Sequence, residues 1–544
     1  MINLDMTMIE AFRGVAESRL DQEALVCGEV RVTYGELLGT IDALARGLHA
    51  LGVRKGDKVA MLLPPGADFI HVFFAVARLG GVVAPLNVQL RERGLASVLA
   101  DAGPLVLVTS RPVEGQVLTQ VPSLRHVLTA GANGGPGQPL SDLIAAGRSA
   151  PPLPPIELSS RDLLALLYTS GTTGSPKGTM HTHRSLIAPV VASLKVVELF
   201  KQPNLRTLGR TVRALARYRE RMLRAATGLQ TWLPIASWDT VTGLEILFQA
   251  LLKGDRLVVM ERFDPREALR LVERERVNIL VAVPVLYQVL LGLDDLDDYD
   301  TSSLLVCGVG AAPVSQHLAQ EIERQFNCAI HIGFGATEIG GGIAVTSLTD
   351  STRQRTGTVG KPMPGVDVKI VDEERRELPP GQVGELACRT DGVMLGYYRA
   401  PEATAEVLDE DGWYYTGDLA RIDAEGYLHI VGRKKDMIIR GGRNIYPAEV
   451  EAYLTAHDAI REVAVVGVPS ALEGESVWAF VVLEDGGRMT ARELLDFCRE
   501  GLELYKVPGQ VRFVDDFPRS ATGKPQKFKL REAALSEQKG GPVS

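Results

Sequence analysis

Short Val/Ile/Leu-rich runs alternate along this chain with longer amphipathic segments, the pattern of a largely parallel sheet wrapped by helices. Residues 58–63, 82–84, 105–109, 256–260, 279–283 and 304–308 read as strands, and 265–275 and 314–325 as helices between such strands. The Gly/Pro-rich passage 131–155 reads as a surface connection within one domain. After a charged segment at 432–436, apolar runs at 462–468, 477–483 and 511–514, with a helix over 491–500, predict a second, smaller α/β unit. The expected architecture is therefore α/β: a large N-terminal domain of mixed and parallel sheets wrapped by helices over residues 1–434, and a small C-terminal α/β domain over 435–544.

One segment breaks the pattern. Between about 201 and 227, Arg206, Arg210, Arg213, Arg217, Arg221 and Arg224 recur every three or four residues, while Leu205, Leu208, Val212, Leu215 and Met222 fall on the opposite side. This predicts a basic amphipathic helix, suited to an anionic membrane surface, an acidic partner or the entrance to a substrate pocket. A solvated charged face on a packed helix is the alternative.

Composition narrows the function classes. A chain of 544 residues that is 45% apolar can bury a large core, and its net charge of −8 argues against a nucleic-acid binder. Five cysteines without paired short spacings suggest neither a disulfide framework nor a zinc site, and a reducing cytoplasm is the expected setting. No signal peptide or membrane-spanning run is expected. His181-Thr-His183 has no Cys or carboxylate cluster near it in sequence, which favours structural roles for both histidines.

The richest stretch for chemistry is Tyr168-Thr-Ser-Gly-Thr-Thr-Gly-Ser-Pro-Lys-Gly178. Its glycines let backbone N–H groups approach an anion, its hydroxyls add donors and Lys177 adds charge, so it reads as a phosphate loop leaving a strand at 163–167. It is not a Walker A loop, because Lys177 follows Pro176 and precedes Gly178. A plain Gly/Thr-rich surface turn is the competing reading.

That loop closely resembles the phosphate loop of the adenylate-forming superfamily of acyl-CoA synthetases, peptide-synthetase adenylation domains and luciferases. Similar segments follow in order across nearly the whole chain. They are Arg31-Val-Thr-Tyr-Gly-Glu-Leu37, Leu79-Gly-Gly-Val-Val-Ala-Pro-Leu86, Gly310-Ala-Ala-Pro313, Gly333-Phe-Gly-Ala-Thr-Glu338, Gly384-Glu-Leu386, Gly396-Tyr-Tyr398, Tyr415-Thr-Gly-Asp418, Gly432-Arg-Lys-Lys-Asp-Met437, Gly441-Gly-Arg-Asn-Ile-Tyr-Pro447 and Pro518-Arg-Ser-Ala-Thr-Gly-Lys524.

The resemblance implies ATP, Mg²⁺ and CoA as cofactors, and a role for each segment. Thr169, Ser170, Gly171, Thr172, Thr173, Gly174 and Lys177 would hold the β- and γ-phosphates. Glu338 would bind Mg²⁺ and Thr337 the α-phosphate. Phe334, where many relatives carry Tyr, would stack on adenine beside Gly335, with Gly310, Ala311, Ala312 and Pro313 as the opposite wall. Asp418 would accept from the ribose hydroxyls, helped by Arg433. Lys524 would stabilise charge as a carboxylate attacks the α-phosphorus. Lys435 occupies the hinge position about which the small domain would turn. That turn would bring Gly441 and Gly442, otherwise an ordinary hairpin turn, against a pantetheine arm.

The chain departs from its relatives in the substrate region. Where many CoA ligases carry a Pro-Leu-Phe-His-like segment, it reads Leu233-Pro-Ile-Ala-Ser-Trp-Asp-Thr-Val-Thr-Gly243. Trp238, Asp239, Gly308 and Gly333 are placed at the acyl pocket, although Trp238 and Asp239 read equally well as a packed ring and a loop cap. The expected function is activation of a fatty, aromatic or alicyclic carboxylic acid to an acyl-adenylate with pyrophosphate release, then transfer to CoA. Loading of a carrier-protein phosphopantetheine is the first alternative and a nucleotide-sensing binding protein the second. A homodimer is a further expectation.

Overall fold

The computed structural model describes residues 2–131, 135–169, 177–201, 218, 221, 229–470, 472–484, 486–519 and 525–538. Among them, a nine-stranded sheet runs in the order Lys361–Pro362, Gly341–Val345, Ala329–Ala336, Val306–Val309, Ile279–Ala282, Thr231–Ile235, Arg256–Val259, Glu23–Cys27 and Val30–Thr33. The strands from Ala329–Ala336 to Glu23–Cys27 are parallel, and those beyond them antiparallel. A seven-stranded sheet runs Gln138–Pro139, His126–Thr129, Val106–Thr109, Lys58–Leu62, Val82–Pro85, Leu163–Thr169 and Lys177–Thr182, with only the last strand antiparallel. The largest core cluster takes residues from both sheets and from the helices Tyr34–Ala50, Ala67–Arg78 and Val241–Lys253, so a helical layer lies between the sheets.

An antiparallel sheet of Val366–Val371, Gly384–Thr390, Tyr414–Ile422 and Leu428–Arg433 follows. A short 3-10 turn, Lys434–Asp436, then leads into a five-stranded sheet built around the hairpin Ile460–Ser470 and Gly474–Leu483, with its own core. The strands and helices read from the apolar runs are present with small shifts at their ends. The passage 131–155 differs: it contains the helix Leu140–Ser149. Leu140 and Leu143 are buried, and a Cβ at Gly147 would come 1.9 Å from the Ala43 carbonyl oxygen. The glycine that made this stretch look like loop allows two helices to touch backbone to backbone.

The segment Arg31 to Leu37 has a structural job. Thr33 caps the helix Tyr34–Ala50 in a capping box with Glu36, and the buried Tyr34 hydroxyl donates to the carbonyls of Leu251 (3.2 Å) and Asp255 (2.7 Å). It thereby holds the C-terminal end of the helix Val241–Lys253, where Gly254 adopts a left-handed cap with φ 78°. The N-terminal end is fixed by the Thr240 side chain, which accepts from Gly243 N at 3.2 Å. A Cβ at Gly243 would lie 2.1 Å from the Ser237 carbonyl oxygen.

Gly243→Ala should therefore force the 237–240 turn off the helix and destabilise the protein by about 1–3 kcal/mol, read by urea unfolding. A substitution at the exposed Arg492 is the neutral control.

Candidate active site

The strand Leu163–Thr169 pairs antiparallel with Lys177–Thr182, and Thr169 and Lys177 are the last registered pair. Ser170, Gly171, Thr172, Thr173 and Gly174 lie outside the described residues. The strand Lys177–Thr182 is also hydrogen-bonded on its other edge. Tyr398 N donates to Gly178 O at 2.7 Å, Met180 N to Gly396 O at 3.0 Å and Leu395 N to Met180 O at 2.8 Å. This second edge brings Tyr397 beneath Lys177, whose Nζ lies 5.1 Å from the ring centroid.

Tyr397 leads directly to Glu338. Its hydroxyl donates to Glu338 Oε1 at 2.8 Å, and burial, reinforced by that carboxylate, raises its pKa. Glu338 sits in the short turn Thr337–Ile339 that follows the strand Ala329–Ala336, and its carbonyl accepts from Met394 N at 2.8 Å. Behind the turn, buried His181 pairs with Ser185 Oγ at 3.1 Å, and burial lowers its pKa to about 4. His183 accepts at Nδ1 from Met8 N at 3.1 Å and is likewise pushed down to about 4 by burial. Both are structural groups.

Asp418 and Arg433 face each other in register on neighbouring strands, with Arg433 Nε 2.6 Å from Asp418 Oδ1. The charge of Arg433 reaches Tyr397 and Tyr414, and that of Glu338 reaches Tyr414 as well, so the pair shares one electrostatic environment with Glu338. Lys434 bonds Glu385 Oε2 at 2.9 Å; partial desolvation lowers the pKa of Lys435 beside it.

Gly310 lies against the strand Ala329–Ala336, where a Cβ would be 3.6 Å from Gly333 O. Ala311 adopts φ 63°, a conformation an alanine takes at a cost of roughly 1 kcal/mol, so the loop through Ala312 and Pro313 is held in a strained shape. Phe334 packs beside the core of the antiparallel sheet, and a Cβ at Gly335 would strike Gly341 O at 2.1 Å. The structure thus brings together Lys177, Thr337, Glu338, Phe334, Gly335, the loop from Gly310 and the Asp418–Arg433 pair.

Trp238 is 1% exposed and packs edge-on against Phe69 at 5.4 Å, within the core. Asp239 accepts from Ser237 Oγ and Asn87, and burial raises its pKa. Trp238 is thus a packed ring, and Asp239 pairs mainly with neighbouring side chains while Thr240 caps the helix that follows. A Cβ at Gly308 would meet the Val281 side chain at 3.1 Å, and one at Gly333 only the Val309 carbonyl oxygen at 4.0 Å. Gly441 and Gly442 form a two-residue turn with φ 57° and 76°, and a Cβ at either would meet nothing within 4 Å among the described residues. Gly441 borders a groove of about 330 Å³ with Arg440, Arg443 and Tyr505. Lys524 lies outside the described residues; its flanks are pinned by an antiparallel bridge between Arg519 and Pro525.

Most of the basic segment also lies outside the described residues. Two of its described residues bond the fold: Tyr218 donates to Cys328 O, and Arg221 to Leu304 O (2.7 Å) and Asn327 O (2.6 Å). Tyr397 enters the sequence analysis only as part of a motif, and the adjacent pair Tyr397-Tyr398 was the available signal for it.

The chain matches the AMP-binding enzyme family over residues 12–398 and the AMP-binding enzyme C-terminal domain over 449–524. It is 36% identical over 505 residues to a feruloyl-CoA synthase of an Amycolatopsis species, covering 93% of this chain and 94% of that one. It is 31% identical over 527 residues to a long-chain-fatty-acid–CoA ligase of Mycobacterium tuberculosis, covering 96% of each. Its fold superposes on the anthranilate CoA ligase AuaEII in complex with anthranoyl-AMP, with a TM-score of 0.84, 26% identity and 99% of both chains covered. ATP-bound MatB from Rhodopseudomonas palustris gives 0.83 and 30%, covering 98% of this chain and 100% of that one. Among the described residues no helix is long and apolar enough to cross a membrane. With this family running through most of its length, the chain belongs to the AMP-binding enzymes and is an AMP-forming acid–CoA ligase.

Proposed function

We propose that the residues gathered around Glu338 carry out the adenylation half-reaction, and that the segments after Arg433 serve the thioester half-reaction. The observation that supports this most is the chain of contacts from Lys177 through Tyr397 to Glu338, which puts a cation, a fixed hydroxyl and a carboxylate side by side. A lone carboxylate suits Mg²⁺, which takes one or two protein carboxylates and completes its shell from phosphates and water. Among the described residues no cluster of three or more His, Cys, Asp or Glu offers an all-protein metal cage. Bound at Glu338, Mg²⁺ would neutralise phosphate charge.

In the first step an oxygen of the acid attacks the α-phosphorus of ATP. The bond from that phosphorus to the bridging oxygen breaks, and pyrophosphate departs with the electron pair. Lys177 neutralises the departing phosphates, Asp418 orients the ribose and Lys524 stabilises the charge growing between acid and phosphorus. In the second step the CoA thiol sulfur attacks the acyl carbon, the bond to the AMP oxygen breaks, AMP leaves and the thiol proton passes to solvent. Gly441 and Gly442 leave room beside backbone for the pantetheine arm, and Lys435 is the pivot. Transfer to a carrier protein would use the same arm, so CoA and carrier proteins belong in one assay. Arg221, bonded to two carbonyls, is spent inside the fold, which leaves the other arginines of its segment for any contact with a membrane or an acidic partner. The cytoplasm remains the proposed compartment.

A screen of carboxylic acids for ATP-dependent pyrophosphate release, followed by thioester detection, tests the overall reading; release without dependence on acid would refute it. Lys524→Ala should lower pyrophosphate release at least ~100-fold yet leave thioester formation from supplied acyl-adenylate largely intact, and equal loss of both would sink the assignment.

Tyr397→Phe removes a hydrogen bond to a charged group. It should lower kcat/KM for Mg²⁺–ATP about 10–100-fold with little change in melting temperature. An unchanged Mg²⁺ dependence would show that Tyr397 does not position Glu338.

A further inference from the structure

Two arginines of the small C-terminal unit bond to opposite ends of one hairpin. The strands Ile460–Ser470 and Gly474–Leu483 stay in register from Ile460 opposite Leu483 to Ser470 opposite Gly474. Glu462 lies near the open end of this hairpin and Glu473 in the connection between its strands. From Glu462 to Ser470 the strand covers roughly 25 Å.

At the open end Arg519 donates from Nη1 to Glu462 Oε1 at 3.2 Å and from Nη2 to Glu462 Oε2 at 2.5 Å. It also donates from Nη2 and Nε to Asp516 Oδ1, at 2.7 and 3.2 Å. Lys524 follows a few residues later, and just beyond it Gln526 N donates to Pro518 O at 2.7 Å. Lys527 then bonds Glu451 Oε1 at 2.6 Å, and that oxygen accepts from Val465 N on the hairpin at 2.7 Å. Phe517, Leu530 and Ala534 are buried in one cluster with Val466 and Trp478. The segment bearing Lys524 thus leaves the hairpin and returns to it. A two-pronged guanidinium–carboxylate pair fixes direction as well as distance, so Arg519 sets the angle of departure.

At the other end Arg440 donates from Nε to Glu473 Oε2 at 2.8 Å and from Nη2 to Glu473 Oε1 at 3.1 Å. Its Nη1 donates to the carbonyls of Val507 at 2.9 Å and Tyr505 at 3.2 Å. The backbone follows, with Gly441 N donating to Glu473 O at 2.7 Å and Arg440 in register with Gly474. Gly441 and Gly442 have no side chain by which packing could hold them, so their turn takes its position from its neighbours. Donors turned onto carbonyls and a carboxylate of the same fold make Arg440 a brace for that turn.

We propose that Arg519, through Glu462, positions the loop bearing Lys524 for the first half-reaction, and that Arg440, through Glu473 and the carbonyls of Tyr505 and Val507, positions the Gly441–Gly442 turn for the second. This rests on the assignment of Lys524 and of the two glycines to those half-reactions. The hairpin is the strut between the two ion pairs, and a turn of the small unit about Lys435 moves both without breaking either. Each arginine then serves one step and is silent in the other.

The test measures two rates separately. One is single-turnover pyrophosphate release without CoA, with the acid that the wild-type protein adenylates fastest; the other is thioester formation from that acid's adenylate, supplied with CoA. Arg519→Ala should slow the first about 10–100-fold, with the half-saturating ATP concentration within about twofold of wild type, and leave the second within about threefold, because misplacing a reacting group costs rate and not ground-state binding. Arg440→Ala should do the reverse. Arg519→Lys keeps the charge without the two-pronged geometry and should recover only part of the loss. Arg519→Ala combined with Glu462→Ala should be within about threefold of Arg519→Ala alone, since both remove one interaction; losses that multiplied would overturn the route through Glu462. Should an arginine variant fail to fold, Glu462→Gln or Glu473→Gln reads the same split more weakly. Both rates falling together would mark a merely structural role, and that result, or no change in either rate, would overturn the inference alone while Lys524→Ala still stops only the first step. If Lys524→Ala slowed both steps alike, the assignment of its loop would fall, and this inference with it.

Discussion

The site depends on one strand being hydrogen-bonded along both edges. Lys177–Thr182 pairs with Leu163–Thr169 on one side and with the segment around Leu395 to Tyr398 on the other. Strand pairing fixes which side chains share a face, and a slip of one residue would turn Lys177 away from Tyr397. The cation–ring contact at 5.1 Å contributes only about 0.5–1 kcal/mol, whereas the hydrogen bond to a charged carboxylate contributes about 1.5–3 kcal/mol. Glu338 therefore fixes the Tyr397 ring, and Lys177 rests on a ring already placed. Backbone pairing supplies the precision, and the side chains add the chemistry.

The connection to the C-terminal sheet follows a different logic. Asp418 is largely buried and bonded to Arg433, so its carboxylate is held in place at the end of the antiparallel sheet. One residue further on, Lys434 pairs with Glu385 while about half exposed, and such pairs contribute about 0–1 kcal/mol. Where the chain enters the turn Lys434–Asp436, the side-chain attachment is thus weak. The proposed rotation about Lys435 needs that combination: a rigidly held strand on one side and a lightly tethered turn on the other.

Much of this was legible in the sequence because it rests on local rules. Apolar runs gave the strands, and the glycine-rich motifs marked backbone that must approach something closely, as at Gly335. The tertiary contacts were not legible. The Tyr397–Glu338 bond joins residues 59 positions apart, and nothing in either segment states that they meet. The helix Leu140–Ser149 was hidden because the glycine that signals a turn also permits close helix contact. Trp238 stood out as an aromatic in a substrate segment, but its neighbour Phe69 belongs to a helix far earlier in the chain. The polar stripe on Val241–Lys253 was not read from the sequence at all; polar residues at helical spacing ordinarily mark a solvent face, whereas Gln249 and Lys253 here bond Ser193 of the helix His183–Lys201.

The segment Arg31 to Leu37, remote from Glu338 in sequence, helps to place the helix Val241–Lys253. Tyr34 ties the end of the stripe-bearing helix to the N-terminal helix through two carbonyls, and the Thr33–Glu36 capping box fixes where Tyr34 can reach. With Thr240 and the close approach of Gly243 holding the other end, the helix has little freedom to shift. Its polar side chains are satisfied within the fold, Gln249 by Glu245, Ser193 and Lys253, so the helix is held along its length as well as at both ends. The wall this helix presents to the neighbouring strand Gly341–Val345 then owes its position to fixed ends and a closed side-chain network together.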